Sequence, residues 1–231
     1  MKTKYRLAML LPVALLSACG SDDDDNNDTQ HFQYQVEVSN LTHAQPMSPV
    51  AIAINEHNNP AWMAGESASL GLEKLAEGGD NSDWLAEQQS QGAYAALSGE
   101  GILLPGATMR WTVDYDSEQE MADLALASML VNTNDAFSGV AGLKLPQGVG
   151  ESVMHYAKVW DAGTEANSES AGTIPGPADG GEGYAPARDN DGLIRIHAGV
   201  ISQDDGLPSS VLTEQHRFDS PAMRITVSRI Q

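Results

Sequence analysis

Two short segments hold the residues best suited to chemistry: Asn132-Thr133-Asn134-Asp135-Ala136-Phe137-Ser138-Gly139 and Trp160-Asp161-Ala162-Gly163-Thr164-Glu165. Each sets a carboxylate at the end of an apolar run, where a strand is expected to give way to a loop. Ala162, Gly163 and Thr164 are small, so the backbone between Asp161 and Glu165 can curl and aim both side chains at one point. Asp135 arrives from a separate loop of the same kind. Anionic oxygens on two adjacent loops suit calcium, which takes roughly six to eight oxygen ligands at about 2.3–2.6 Å and tolerates irregular geometry. Carbonyls and water would complete the shell. The competing reading is plain: Asn and Asp are ordinary turn residues, because their side chains hydrogen-bond the nearby backbone.

The remaining constellations are weaker. Asp189-Asn190-Asp191-Gly192 looks like the opening of an EF-hand loop, but no Glu stands at the twelfth position, and it reads as a turn entering the next strand. His31, His43, His57, His155, His197 and His216 show no zinc-ligand spacing. His155 and His197 fall in strand patterns and read as sheet histidines. Trp62, Trp84, Trp111 and Trp160 offer faces for sugar stacking, yet Trp111 and Trp160 read more economically as core, with Trp160 packing under the acidic loop. Gly65-Glu66-Ser67-Ala68-Ser69 lacks the closing glycine of a nucleophile elbow, so Ser67 or Ser69 is expected to cap a helix. No nucleophile–base arrangement can be nominated, and the chain is expected not to be an enzyme. Among 32 acidic residues a glycosidase-type pair stays open, but nothing in their spacing favours one.

Charge narrows the partners. The chain has 12 Lys+Arg against 32 Asp+Glu, a formal net charge of −20. Nucleic acid and anionic lipid surfaces both need a basic footprint and are consequently poor partners. The first residues read as a targeting segment. Lys2, Lys4 and Arg6 form a basic start, and Leu7 to Leu16 is an apolar run too short to span a bilayer. Leu16-Ser17-Ala18-Cys19 then matches a bacterial lipobox, in which Cys19 is lipidated and becomes the first residue. It is the only cysteine, so no disulfide competes for it. Several acyl chains, at about 0.8 kcal/mol per buried CH₂, make a stable membrane anchor. Gly20 rather than Asp follows, as in lipoproteins passed on to the outer membrane. The organisation expected is a signal peptide over 1–18, a tether over 19–30 and one folded domain over 31–231. The tether has five Asp between Ser21 and Gln30, which repel one another and can bury nothing.

The elements that must position the acidic loops are mainly strands. Phe32, Tyr34, Val36 and Val38 alternate with polar residues, and Val50, Ile52 and Ile54 repeat the two-residue period with alanines between. Met109 to Tyr115 alternates clearly. Val140–Leu145, Ser152–Val159, Leu193–Val200 and Met223–Ile230 complete the expected strands. Ala68–Glu77 has Leu72, Leu75 and Ala76 at helical spacing before the Gly78-Gly79 stop, and a second short helix is expected from Ser82. Residues 117–131 fit either a helix opened by Ser117 and Glu120 or a strand. Residues 171–192, rich in Gly and Pro, should form one long loop of the sort that is usually functional or mobile. Several short strands separated by turns argue an all-β, antiparallel sandwich with one or two short helices in a long connection.

A family resemblance sharpens this. Ser128 to Val140, Trp160 to Glu165, and the Ser69 to Gly78 run resemble the N-terminal domain of the spondins and its bacterial relatives. That family is an antiparallel β-sandwich whose calcium site is built from acidic residues at the first two motifs. The resemblance implies Asp135, Asp161 and Glu165 as ligands, with Glu165 a departure from the Asp of the animal proteins. It also makes Leu124–Val131 a strand, which brings the following loop beside Asp161. The expected role is a calcium-binding adhesion or recognition module, lipid-anchored in the bacterial envelope, with a surface polysaccharide or protein as partner. The alternative is a calcium-stabilised envelope hydrolase acting on glycan or ester, with its active site under the 171–192 loop.

Overall fold

A computed structural model describes residues 29–231. Cys19, the signal peptide and all but the end of the expected tether lie outside the described residues. The domain is built from two antiparallel sheets, with strand orders β4-β1-β10-β7 and β3-β2-β5-β6-β8-β9. The first sheet comprises β1 (Gln30–Asn40), β4 (Thr108–Ser117), β7 (Ser152–Ala157) and β10 (Met223–Arg229). The second comprises β2 (Ala51–Glu56), β3 (Ala95–Ser98), β5 (Ala122–Met129), β6 (Ala136–Lys144), β8 (Val159–Asp161) and β9 (Arg195–Ile196). The architecture is the expected all-β sandwich.

The two-residue period explains how the layers stack. Phe32, Tyr34, Val36 and Val38 of β1 point into the sandwich, together with Val113, Tyr115, Ile225 and Val227. Ile52 and Ile54 of β2 and Leu124 and Leu126 of β5 meet them from the other sheet. On the opposite face of β2 and β5 the side chains are Ala51, Ala53, Ala125 and Ala127, and that face is covered by helices rather than by water. Small residues there let the helices α1 (Leu70–Gly78) and α2 (Ser82–Ser90) sit close to the strands. Leu72, Leu75, Trp84, Trp62 and Phe137 fill the space between. The buried tryptophans are therefore Trp62 and Trp84, whereas Trp111 and Trp160 are half-buried and pack against the margins of the core.

Helix α1 has the ends its sequence forecasts. The Ser69 side chain accepts from the Leu72 N–H at 3.1 Å, and Gly79, at φ +71°, closes the C-terminus with its N–H on Leu75 O. The ambiguous 117–131 stretch holds a strand, β5, rather than a helix, because every residue of β5 is buried, with helices on one side and the other sheet on the other. Two expectations need correction. Within Leu193–Val200 only Arg195–Ile196 pairs as strand, since its neighbour β8 is just three residues long and offers little to pair with. The Ser152–Val159 run is divided: β7 joins the first sheet and β8 the second.

Gly71 marks the closest approach of the two helices, where an added Cβ would lie 2.5 Å from the Trp84 backbone. Replacing an interior helical glycine with alanine ordinarily favours the helix by roughly 0.5–1 kcal/mol. Here the sign should reverse: Gly71→Ala is expected to lower the thermal midpoint by several degrees, as overpacking by about 1–3 kcal/mol implies, and a calorimetric scan would read it.

Candidate metal centre

The first acidic loop joins β5 to β6 and is held from inside. The Thr133 hydroxyl donates to Leu130 O at 2.6 Å and accepts from the Ala136 N–H at 3.1 Å, while Leu130 N–H donates to Ala136 O. Asn132 is fixed by Gln45 and by Ala44 O. The loop is consequently buried, and Asp135 is 0 % exposed. A solvated turn residue is not what the chain has built there.

The second loop follows β8, whose Asp161 is in register with Ala136 of β6. Pairing of these strands sets the two loops side by side, and Ala162 N–H donates to Asp135 O at 3.2 Å. Gly163 allows the turn: its φ is +73°, and an added Cβ would lie 2.4 Å from Leu193 O. The turn brings the N–H groups of Thr164 and Glu165 onto Asp135 Oδ2 at 2.8 and 3.1 Å, with the Thr164 hydroxyl at 3.4 Å. The Asp189–Gly192 segment, the turn expected from its sequence, braces this loop from outside. Asp189 Oδ1 accepts from Ala166 N–H at 2.7 Å, Asn190 donates to Glu165 O at 3.1 Å, and Gly192 N–H donates to Gly163 O at 2.6 Å.

The carboxylates are unequally satisfied. Asp161, 4 % exposed, accepts from Gly163 N–H at 2.7 Å on Oδ1 and from the Asn167 amide at 2.8 Å on Oδ2. The Asn167 carbonyl faces His197 Nε2 at 3.3 Å, and His197 Nδ1 accepts from Gly199 N–H, so Nε2 carries the hydrogen. Burial lowers the His197 pKa and keeps the ring neutral, against the pull of the Asp161 charge. Asp135 is different: Oδ1 is buried with no hydrogen-bond partner. Burial first, then the Asp161 charge, pushes the Asp135 pKa up to about 7, although the Glu165 and Thr164 N–H groups pull it back. Glu165 is half-buried, and burial followed by the charges of Glu77 and Asp135 takes it to about 8.

Glu77 is the member that sequence reasoning missed. It lies in the last turn of α1 and is 1 % exposed. One oxygen accepts from Ala185 N–H at 2.9 Å; the other, Oε1, has no donor in hydrogen-bonding geometry. Burial raises its pKa, while the nearby Thr164 hydroxyl and the Ala185 N–H draw it down. The only hint in the sequence was that Glu73 and Glu77 stand four apart beside the apolar stripe of α1.

As they stand, the three expected ligands do not form a closed cage: among the described residues no group of three or more His, Cys, Asp and Glu side chains is arranged to hold a metal ion. What the fold brings together is narrower. Asp135, with a bare buried oxygen, shares one sheet rim with Asp161, Thr164 and Glu165. Among the described residues, no Lys, Arg or His is ion-paired with Asp135, Asp161, Glu165 or Glu77. Arg195 acts on Asp135 and Asp161, and Arg188 on Glu77, only through longer-range attraction, and carboxylates gathered without an ion-paired cation suit either protons or a hard divalent ion. No protein-family model matches this chain, and no curated protein matches it either.

The raised pKa values set a direction for stability. Unfolded, Asp135 ionises near the ordinary value of about 3.9, but folded it holds its proton to about 7. Between those values the folded metal-free chain binds more protons than the unfolded one, so stability is full at the acid end and is lost as pH rises through 7. The Asp135 contribution is on the order of 4 kcal/mol at most. Thermal unfolding in chelator should therefore show a midpoint that falls from about pH 5 to about pH 8, an effect Asp135→Asn should flatten.

Proposed function

We propose that this chain is a calcium-binding recognition module of the cell envelope, held to the membrane through Cys19. The observation that carries the calcium reading is Asp135 Oδ1: a carboxyl oxygen sealed from water, without a donor, beside a second carboxylate. Leaving such an atom unmatched costs a protein several kcal/mol unless a proton or a cation meets it. Asp135, Glu165 and Asp161 would hold the ion, Asp161 by releasing a hydrogen bond from Asn167 or Gly163. Bound calcium would supply positive charge and a coordination shell that ties the loops. The likeness of the two acidic motifs to those of the spondin N-terminal domain supports the same reading.

What the chain's own residues do is present a surface. The rim loops lead into 163–192, which is braced on them, so ordering the rim orders the adjoining long loop. A polysaccharide or protein ligand suits a module of net charge −20 better than nucleic acid does. The lipobox ending at Cys19 supports attachment to the bacterial envelope, with Gly20 favouring the outer membrane. Extracellular calcium modules bind at about 10⁻⁴–10⁻³ M, the range expected here.

Titration calorimetry should detect one class of calcium site in that range, and Asp135→Asn and Asp161→Asn should each abolish the heat; unchanged heats in both variants would rule the site out. Calcium at about 100 times its dissociation constant should add about 2.7 kcal/mol to stability. Separately, Cys19→Ser should release the protein from the membrane fraction, and continued sedimentation with membranes would place the anchor elsewhere.

A further inference from the structure

Glu77 is a buried acid that the proposed ligand set does not use, and its surroundings are those of an anion awaiting a cation. It sits in the last turn of α1, which has no basic residue there. That end of a helix carries the negative pole of its dipole, where a carboxylate is disfavoured and a positive charge favoured. One turn earlier the chain meets the same problem and solves it. Glu73, 3 % exposed, is ion-paired with Arg188, whose Nε donates at 2.8 Å, and the guanidinium also reaches Ala68 O. Glu77 has no such direct pair, and Arg188 acts on it only from beyond ion-pair distance. Its Oε1 is bare, and its charge is felt at both Asp135 and Glu165.

Thr164 is the common neighbour. Its N–H and hydroxyl reach Asp135 Oδ2, and its hydroxyl also lies near the Glu77 carboxyl. Two buried carboxyl groups from different elements, Asp135 and Glu77, each with one bare oxygen, thus border one threonine. Resting on the calcium reading above, we propose that Glu77 is a further ligand of the same ion, so that the metal ties helix α1 to the sheet rim. The other Glu77 oxygen holds Ala185, and Asp189 N–H donates to Thr164 O at 3.2 Å. Calcium would therefore couple three parts of the chain: α1, the 184–189 segment and the β6–β8 rim. The ion, not an ion pair within the protein, sets how the long loop rests on the helix.

The test uses the full chain in detergent, with calcium titrated by calorimetry and amide hydrogen exchange followed with and without the metal. In the wild type, calcium should slow exchange in 70–78 and 184–189 as well as in 130–136. Glu77→Gln should weaken calcium binding about tenfold or more and remove the protection of 70–78 and 184–189, leaving that of 130–136 once calcium saturates. Glu77→Asp separates ligation from a distant charge effect: it keeps the charge but shortens the reach, and should bind as weakly as Glu77→Gln. Wild-type affinity in either variant overturns the assignment of Glu77 while leaving the Asp135 site standing. No calcium uptake by the wild type overturns both.

Discussion

A carboxylate oxygen shut away from water without a donor is the constraint around which this domain is arranged. Asp135 is placed there by the pairing of β6 with β8, and the same pairing delivers Asp161 alongside it. Two N–H groups from the Thr164 turn satisfy one oxygen and leave the other bare. Had the loop offered one more donor, the group would be an ordinary buried turn aspartate. The shortfall, together with neighbouring acids and no paired cation, makes the rim unfavourable for charge until something positive arrives.

The rest of the fold keeps that rim closed. Isoleucine and leucine on one face of β2 and β5 build the sandwich, and alanine on the other admits α1 and α2 as a third layer. The helical layer also carries Glu77 to the Thr164 turn. Arg188 fastens the long loop to α1 through Glu73, while the Asp189–Gly192 turn fastens it to the rim. Charge at the rim and order in the loop are consequently parts of one network.

Much of this was legible from residue pattern. Alternation in β1 and β4 marked two strands of the first sheet, though not their pairing, and the helical spacing before Gly78-Gly79 marked α1, with Ser67 and Ser69 both open as its cap. The Asp135 and Asp161 segments were recognisable as strand ends because each follows an apolar run. Other features were hidden for physical reasons. Ala122–Met129 is rich in alanine, a good helix former, and only burial on both faces decides for a strand. Leu193–Val200 keeps an uneven inside–outside pattern yet pairs over two residues, because pairing length depends on its partner. Glu77 was barely legible: a glutamate on a short helix ordinarily faces water, and here the later segment at Tyr184 and Ala185 packs on the end of α1. That α1 reaches the acidic rim at all is a property of the packed chain.

The central claim is that a cation replaces protons at Asp135 and its neighbours. The most direct measurement is proton release on calcium binding, obtained by calorimetry near pH 7 in buffers of differing ionisation enthalpy. With Asp135 raised to about 7 and Glu165 to about 8, roughly one proton should leave for each calcium bound, fewer at higher pH. Calcium binding with no proton released at any pH near neutrality would contradict the account.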